Sequence, residues 1–270
     1  LVLDAAARLD YNLAAFRVGL ADVRLSSEAG AGEPFFESEY VAVQLSPGVL
    51  LGSLDIGDVS LANALVRVHR RADGTSNLPS SDGGDGGDPA PIPVARLEIS
   101  RLTIDVLDEQ NDMQLRVPAM AVRLMRDSGS ISLTQPAEIR AGGQMTTIST
   151  LSAQATFDGR TLRLAGGQLR SDEAAIGLDG SLMLIVREPS IDLQVKGTGD
   201  IARLARWGMP EGEVPEGALA FDGQIAGPLA DPRAQLNLTS GRIAMGGLSA
   251  TDLRARTLAS STGIEMESLE

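Results

Sequence analysis

Short runs in which every second residue is apolar follow one another along almost the whole chain. Val41, Val43 and Leu45 form one such run, and residues 191–195 form another. Successive side chains of a β-strand point to opposite faces, so each run predicts a strand with one apolar and one polar face. The repeated pattern predicts an all-β protein built on a long sheet with a single apolar side.

Composition sets the character of that apolar side and narrows the range of partners. Hydrophobic residues make up 43% of the chain but aromatic residues only 3%, so the apolar surface is almost entirely aliphatic. The formal charge of -13 repels the phosphates of nucleic acid, which we exclude as a partner. The absence of cysteine excludes disulfides, a thiolate nucleophile and a cysteine metal site.

Interruptions in the rhythm divide the chain into three parts. Residues 1–79 form an N-terminal β segment. Residues 80–93 read SSDGGDGGDPAPIP, a composition that favours a flexible linker or loop. The three aspartates of this stretch suggest a calcium loop, but their spacing does not fit that repeat. The rhythm resumes over residues 94–270, which we expect to form a repeating β segment.

Two stretches depart from simple alternation. Residues 182–186 are apolar at every position, which favours a strand that is covered on both sides or that packs against a neighbouring element. Near 200–207, Asp200 is a suitable helix N-cap, and apolar residues follow at i, i+3 and i+4 from Ile201. This second stretch predicts a short amphipathic helix that covers part of the apolar face or closes one end of it.

Residues able to do chemistry are few and scattered. The one histidine, His69, lies at the end of a predicted strand, where a solvated structural role is the simplest interpretation. Asp105, Asp108 and Glu109 cluster locally, as carboxylates do in any acidic β protein. The chain has no phosphate-binding loop, nucleophile elbow or metal-ligand spacing. We therefore expect no enzyme, no catalytic residues, no cofactor and no metal.

The apolar face is compatible with two architectures. It forms the core of a closed sandwich or barrel, or it lines an open groove or solenoid. Tandem strands without long crossovers and the scarcity of aromatic anchors favour the groove. Periodicity alone leaves both alternatives open.

Two segments go beyond generic alternation. Residues 46–79, in which a leucine-rich turn leads to paired strands and then to RADGTSNLP, resemble the N-terminal part of the AsmA-like family of bacterial envelope proteins. Residues 217–238, with GQIAGPLADPR, resemble the repeat unit of the family's TamB branch, named for the translocation and assembly module. Together they cover about a fifth of the chain.

This resemblance implies a twisted, half-open β groove in the periplasm of a Gram-negative-type bacterium, anchored to the inner membrane. The groove would carry phospholipid toward the outer membrane or assist protein assembly there. The implied partners are phospholipid acyl chains and an outer-membrane assembly barrel protein. The chain begins at Leu1 and stops at Glu270 within the pattern, so we expect an excerpt of a longer protein whose anchor lies outside it.

The alternating apolar residues become the candidates for the lipid groove. They are Val41, Val43, Leu45, Leu97, Ile99, Met113, Leu115, Val117, Val122, Leu124, Leu162, Leu164, Leu182, Leu184, Ile191, Leu193, Val195, Leu219, Phe221, Leu236 and Leu238. The alternative function is a structural or adhesive β solenoid, in which the same side chains fill a dry interior.

Overall fold

The computed structural model consists almost entirely of strands. It describes residues 2–3, 7–27, 33–46, 56–78, 94–125, 127–206, 214–229, 231–260 and 263–270. Strands take up 77% of these residues, and this confirms the predicted all-β class. The strands are β1 (Val2–Leu3), β2 (Arg8–Asn12), β3 (Arg17–Ser26), β4 (Phe36–Leu45), β5 (Ile56–Arg70), β6 (Val94–Asp108), β7 (Met113–Met125), β8 (Gly129–Leu133), β9 (Ala137–Ala141), β10 (Gln144–Phe157), β11 (Thr161–Ser171), β12 (Ala174–Met183), β13 (Ser190–Asp200), β14 (Glu216–Pro228), β15 (Arg233–Met245), β16 (Leu248–Ser260) and β17 (Gly263–Leu269).

All 17 strands belong to one sheet, in which neighbours in sequence are mostly neighbours in space. The short strands β1 and β2 share one edge of β3, and β8 and β9 together fill the position between β7 and β10. The 17 strands therefore occupy 15 positions across the sheet. At about 4.8 Å per strand, these positions extend over roughly 67 Å.

One pair breaks the antiparallel order. Strands β5 and β6 run parallel, with Ile56 beside Val94 and Arg70 beside Asp108. A parallel pair requires the chain to return along the whole length of the strand before it can pair again. This pair joins the segment 1–79 to the segment 94–270 in a single sheet. The predicted linker, residues 80–93, lies outside the described residues, and the division into segments remains a prediction.

The register places the apolar residues of successive strands on one face of the sheet. Residues directly opposite each other in an antiparallel pair share a face. Leu182 pairs with Ile191, and Leu193 pairs with Ile225, so aliphatic side chains of β12, β13 and β14 line up. We call this side the apolar face and the other side the polar face.

Several strands keep this arrangement by shifting their alternation once. In β5 the side chains on the apolar face are those of Val59 and Leu61 before the shift and those of Ala64 and Val66 after it. Asn63 lies at the shift with a left-handed φ of 50°. Register irregularities mark similar positions in the pairs β6–β7, β10–β11, β11–β12 and β14–β15. Such bulges bend strands, and here they also hold the apolar residues on one side.

Burial differs sharply between the two faces. In β13, Leu193 and Val195 are 8% and 6% exposed, whereas the alternate residues Asp192, Gln194 and Lys196 are exposed. A flat single sheet exposes both faces alike, so this asymmetry indicates that the sheet curls toward its apolar face. Among the described residues, none with a large side chain is less than 2% exposed. The curled face is sheltered, but it is not packed like the core between two closed layers.

Candidate functional site

The candidate site is the groove formed by the apolar face. All groove candidates except Leu184 lie in strands, and the strand pairing places them on this face. Leu184 follows the end of β12 and is 37% exposed. Strand β12 ends at Met183, so residues 182–186 do not form the doubly covered strand that their composition predicted.

Rows of apolar, mostly aliphatic side chains cross the groove perpendicular to the strands. One row runs from Phe157 through Leu162 and Leu182 to Ile191. The next runs from Ala155 through Leu164 and Gly180 to Leu193, and beyond it Leu178 pairs with Val195. These rows contain no charged residue, whereas the row through Met113, at the end of β7, pairs with Asp108 and through it with Arg70. The groove therefore offers an apolar surface that is bounded by charge at this end.

The most buried part of the groove lies where β7 and β10 approach each other. Val122, Leu124 and Ala155 form a buried cluster there, 6%, 7% and 1% exposed. Gly129 of the intervening β8 lies beneath them, and a Cβ on this glycine would lie 2.6 Å from the Ala155 carbonyl oxygen. The missing side chain lets the two longer strands close over β8.

The groove also contains residues that sequence reasoning left out of the candidates. Leu102, Met120 and Ile131 pack against the buried cluster. Leu102 and Met120 follow a shift in alternation, where a constant period of two assigns residues to the wrong face. The sequence does contain a signal of this shift. Apolar residues occupy odd-numbered positions before the pair Ser100-Arg101 and even-numbered positions after it.

Helix α1 (Ile201–Ala205) covers the apolar face at the end of β13. Asp200 caps the helix by accepting a hydrogen bond from the Arg203 backbone N–H at 3.2 Å. Ile201 is buried, and its Cδ1 lies 3.3 Å from the position that a Cβ on Gly217 would take. Leu204 approaches Gly199 in the same way. The predicted helix and its cap are confirmed, and the helix closes the groove along one rim.

The cavities of the described residues have a different character. Two cavities of about 600 and 610 Å³ lie on the polar face, away from the groove. The first is lined by amide and charged side chains that include Gln194, Lys196, Asp222, Asn237 and Arg256. Both open on the side of the sheet opposite the apolar surface that is predicted to bind acyl chains.

His69 takes part in a network of ion pairs and hydrogen bonds at the end of β5. Its Nε2 lies 2.9 Å from a Glu109 carboxylate oxygen, and its Nδ1 lies 3.6 Å from Glu33. The other Glu109 oxygen accepts a hydrogen bond from the Ala72 N–H at 3.0 Å. The hydrogen bond from His69, together with that from Ala72, holds the pKa of Glu109 below its usual value. These contacts tie the β6–β7 turn to β5, which is a structural role.

The neighbouring carboxylates point to separate partners instead of converging. Asp105 lies 4.0 Å from Arg116, and Asp108 accepts hydrogen bonds within its own turn from Gln110 and Asn111. Across the described part of the chain, no group of three metal-binding side chains is close enough to hold an ion. The acidic cluster is thus divided among structural contacts.

No family model matches the chain, and no curated protein is significantly similar to it. The similarity to the AsmA-like family therefore rests on the two quoted segments and remains a prediction. Among the helices that the structure describes, none is both long and apolar enough to cross a bilayer.

Proposed function

We propose that this chain is a section of a periplasmic β groove that carries phospholipid toward the outer membrane or assists protein assembly there, as part of an inner-membrane-anchored protein. The observation that carries the proposal is the single curled apolar face, aliphatic across successive strands and without a large, fully buried side chain among the described residues. A face that is sheltered from water yet unfilled is suited to an apolar guest.

The dimensions and chemistry of the groove suit acyl chains. The long strands contain 10 to 15 residues, or roughly 33 to 50 Å at about 3.3 Å per residue, which leaves room to curl around an acyl chain of about 15 Å. Each CH₂ group kept from water contributes about 0.8 kcal/mol. Side chains of leucine, valine and isoleucine provide no directional contact that would fix one register. The guest is thus held firmly but remains free to slide.

The alternative is a structural or adhesive solenoid whose interior is filled by its own side chains. A filled interior requires large side chains packed at the density of a protein core. Leu193 and Val195 are among the most buried residues of the groove, and both retain some exposure. Most other groove candidates, among them Leu162, Ile191 and Leu236, are only half-buried, which favours a conduit over a filled solenoid.

Photo-crosslinking in cells tests the proposal. A photoreactive residue at Leu115 or Leu193 lies on the apolar face, and one at Gln114 or Gln194 lies next to it on the polar face. We expect phospholipid to be captured from the apolar positions and not from the polar ones. Equal capture from both faces contradicts the proposal, whereas capture of polypeptide alone supports the assembly role over lipid transport.

A further inference from the structure

Three glutamines lie side by side on the polar face of the sheet. Gln194 of β13 pairs with Gln224 of β14, which in turn pairs with Gln235 of β15. Asp179 of β12 extends the same row on the other side of Gln194. Residues directly opposite each other share a face, so the three carboxamides follow one another at about 4.8 Å across the sheet.

A second polar row runs beside the glutamine row. Lys196 pairs with Asp222, Asp222 pairs with Asn237, and Asn237 pairs with Arg256 of β16. Lys196 is the only lysine of the chain. The two rows together cover the polar face of five successive strands with amide and charged side chains.

The two cavities of the polar face meet at these rows. The cavity of about 600 Å³ lies over β12–β16, the cavity of about 610 Å³ lies over β10–β13, and Gln194 lines both of them. We call the two cavities together the polar trough. It crosses the seven strands from β10 to β16, or roughly 29 Å at about 4.8 Å per strand. An open depression of this length is suited to an extended chain more than to a compact molecule.

The polar groups of the trough offer both donors and acceptors to a ligand. Gln224 donates to Asp192 at 2.6 Å and retains its own carbonyl oxygen as an acceptor. Gln194 and Lys196 are exposed, and within the described residues their side chains make no hydrogen bond or ion pair. The middle of the trough therefore presents a carboxamide and an ammonium group that are available to a ligand.

The charges of the trough nearly cancel. Four carboxylates and three cationic side chains line it, a net charge of -1 in a chain of -13. They are Asp127, Asp179, Asp192 and Asp222, with Arg163, Lys196 and Arg256. A phosphate site requires an excess of cationic donors, and a metal site requires oxygen ligands that converge. Balanced donors and acceptors match hydroxyl groups, because each hydroxyl both donates and accepts.

We propose that the polar trough binds a neutral oligosaccharide that lies across strands β10–β16. This inference goes beyond the proposed function, because it concerns the opposite face of the sheet and a different class of ligand. The lining of the trough contains no aromatic side chain on which a sugar ring could stack. Affinity then depends on many separate hydrogen bonds and rises with the number of sugar units in contact.

The β-1,4-linked hexamer of N-acetylglucosamine tests the inference on the purified full-length protein that contains this chain. This oligosaccharide is neutral, soluble and extended. Saturation-transfer difference NMR observes the ligand, so it measures weak binding to a large protein. We expect the hexamer to bind and the monomer to bind at least about tenfold more weakly, because one sugar unit contacts only a small part of the trough.

Substitutions in the glutamine row locate the binding. Gln194→Ala/Gln224→Ala is expected to weaken binding of the hexamer about tenfold, because it removes two carboxamides from the middle of the row. The matched control, Gln114→Ala/Gln144→Ala, removes two carboxamides from exposed strand positions that line neither cavity of the trough. Gln194→Asn/Gln224→Asn retains the carboxamides and is expected to keep most of the affinity.

Circular dichroism separates loss of binding from loss of fold. If the alanine variant has an altered spectrum, Lys196→Met replaces it, because this variant removes only an exposed ammonium group. It is expected to bind the hexamer several-fold more weakly than the unsubstituted protein does.

Four outcomes overturn the inference. They are absence of hexamer binding, equal affinity for monomer and hexamer, equal loss of affinity in the control variant, and tighter binding of a sulfated heparin hexasaccharide than of the neutral hexamer. The last outcome would make the trough an anion site. None of them bears on the lipid groove, which is tested by photo-crosslinking from Leu193 on the other face.

Discussion

Leu204 of helix α1 lies over Gly199, the last apolar-face position of the strand that leads into the helix. Its Cδ1 is 2.7 Å from the point that a Cβ on Gly199 would occupy, and the Glu173 carbonyl oxygen is 3.2 Å from the same point. The variant Gly199→Leu therefore displaces the helix from the sheet. We expect it to lower the free energy of unfolding in urea by about 1–3 kcal/mol, the usual cost of overpacking.

A second glycine provides the control for this substitution. A Cβ on Gly241 would have no neighbour within 4 Å, so Gly241→Leu adds the same side chain in open space. Its free energy of unfolding is expected to change by no more than about 0.5 kcal/mol. Equal losses in both variants would mean that the helix does not pack on Gly199 in solution.

The second prediction concerns the shift of alternation in β5. Asn63 has a left-handed φ of 50°, a conformation that a β-branched residue adopts only with strain. We expect Asn63→Val to lower the free energy of unfolding by about 1–2 kcal/mol and Asn63→Gly to change it little. Denaturant titration of both variants measures the difference. The Asn63 amide also donates to Glu39, so an equal loss in the glycine variant would assign the effect to that hydrogen bond.

The period-two pattern predicted much of the groove, because alternation determines which residues of one strand share a face. It placed Leu193 and Val195 on the same face of the sheet, as the strand pairing shows, and the local signals around Asp200 predicted the capped helix. Alternation within a strand carries no information about its partner, so the parallel pairing of β5 with β6 had no signal in the pattern. The position of Leu184 after the end of β12 was hidden because it lies inside an unbroken apolar run, residues 182–186.

The third prediction concerns stability in acid. Asp108 accepts hydrogen bonds from the Asn111 side chain at 2.7 Å and from two backbone N–H groups of its turn, and Arg70 lies 3.6 Å away. These contacts, the Asn111 side chain foremost, hold the pKa of Asp108 below its ordinary value of 3.8. A lowered carboxylate pKa stabilises the fold above the ordinary value, and this contribution is lost as the pH falls through the folded-state pKa.

We therefore expect Asp108→Asn to be less stable than the unsubstituted protein at pH 7 and to approach it in stability as the pH falls well below 3.8. Urea titrations across this range measure the gap between the two proteins. A gap of constant size would show that the loss comes from contacts that the amide does not reproduce at any pH, and not from the carboxylate charge.

The fourth prediction concerns Asn77, which extends the sheet beyond the start of β4. Its side-chain oxygen accepts from the His69 N–H at 2.8 Å, its amide donates to the Arg67 carbonyl at 3.1 Å, and the residue is only 5% exposed. Asn77→Ala leaves both backbone groups without these partners, so we expect the free energy of unfolding to fall by about 1–3 kcal/mol for each group that water does not reach. Asn77→Asp keeps the acceptor for the His69 N–H and loses the donor to the Arg67 carbonyl. In a denaturant titration its free energy of unfolding should therefore lie between those of the alanine variant and the unsubstituted protein. An alanine variant as stable as the unsubstituted protein would show that water replaces both contacts at this end of the groove.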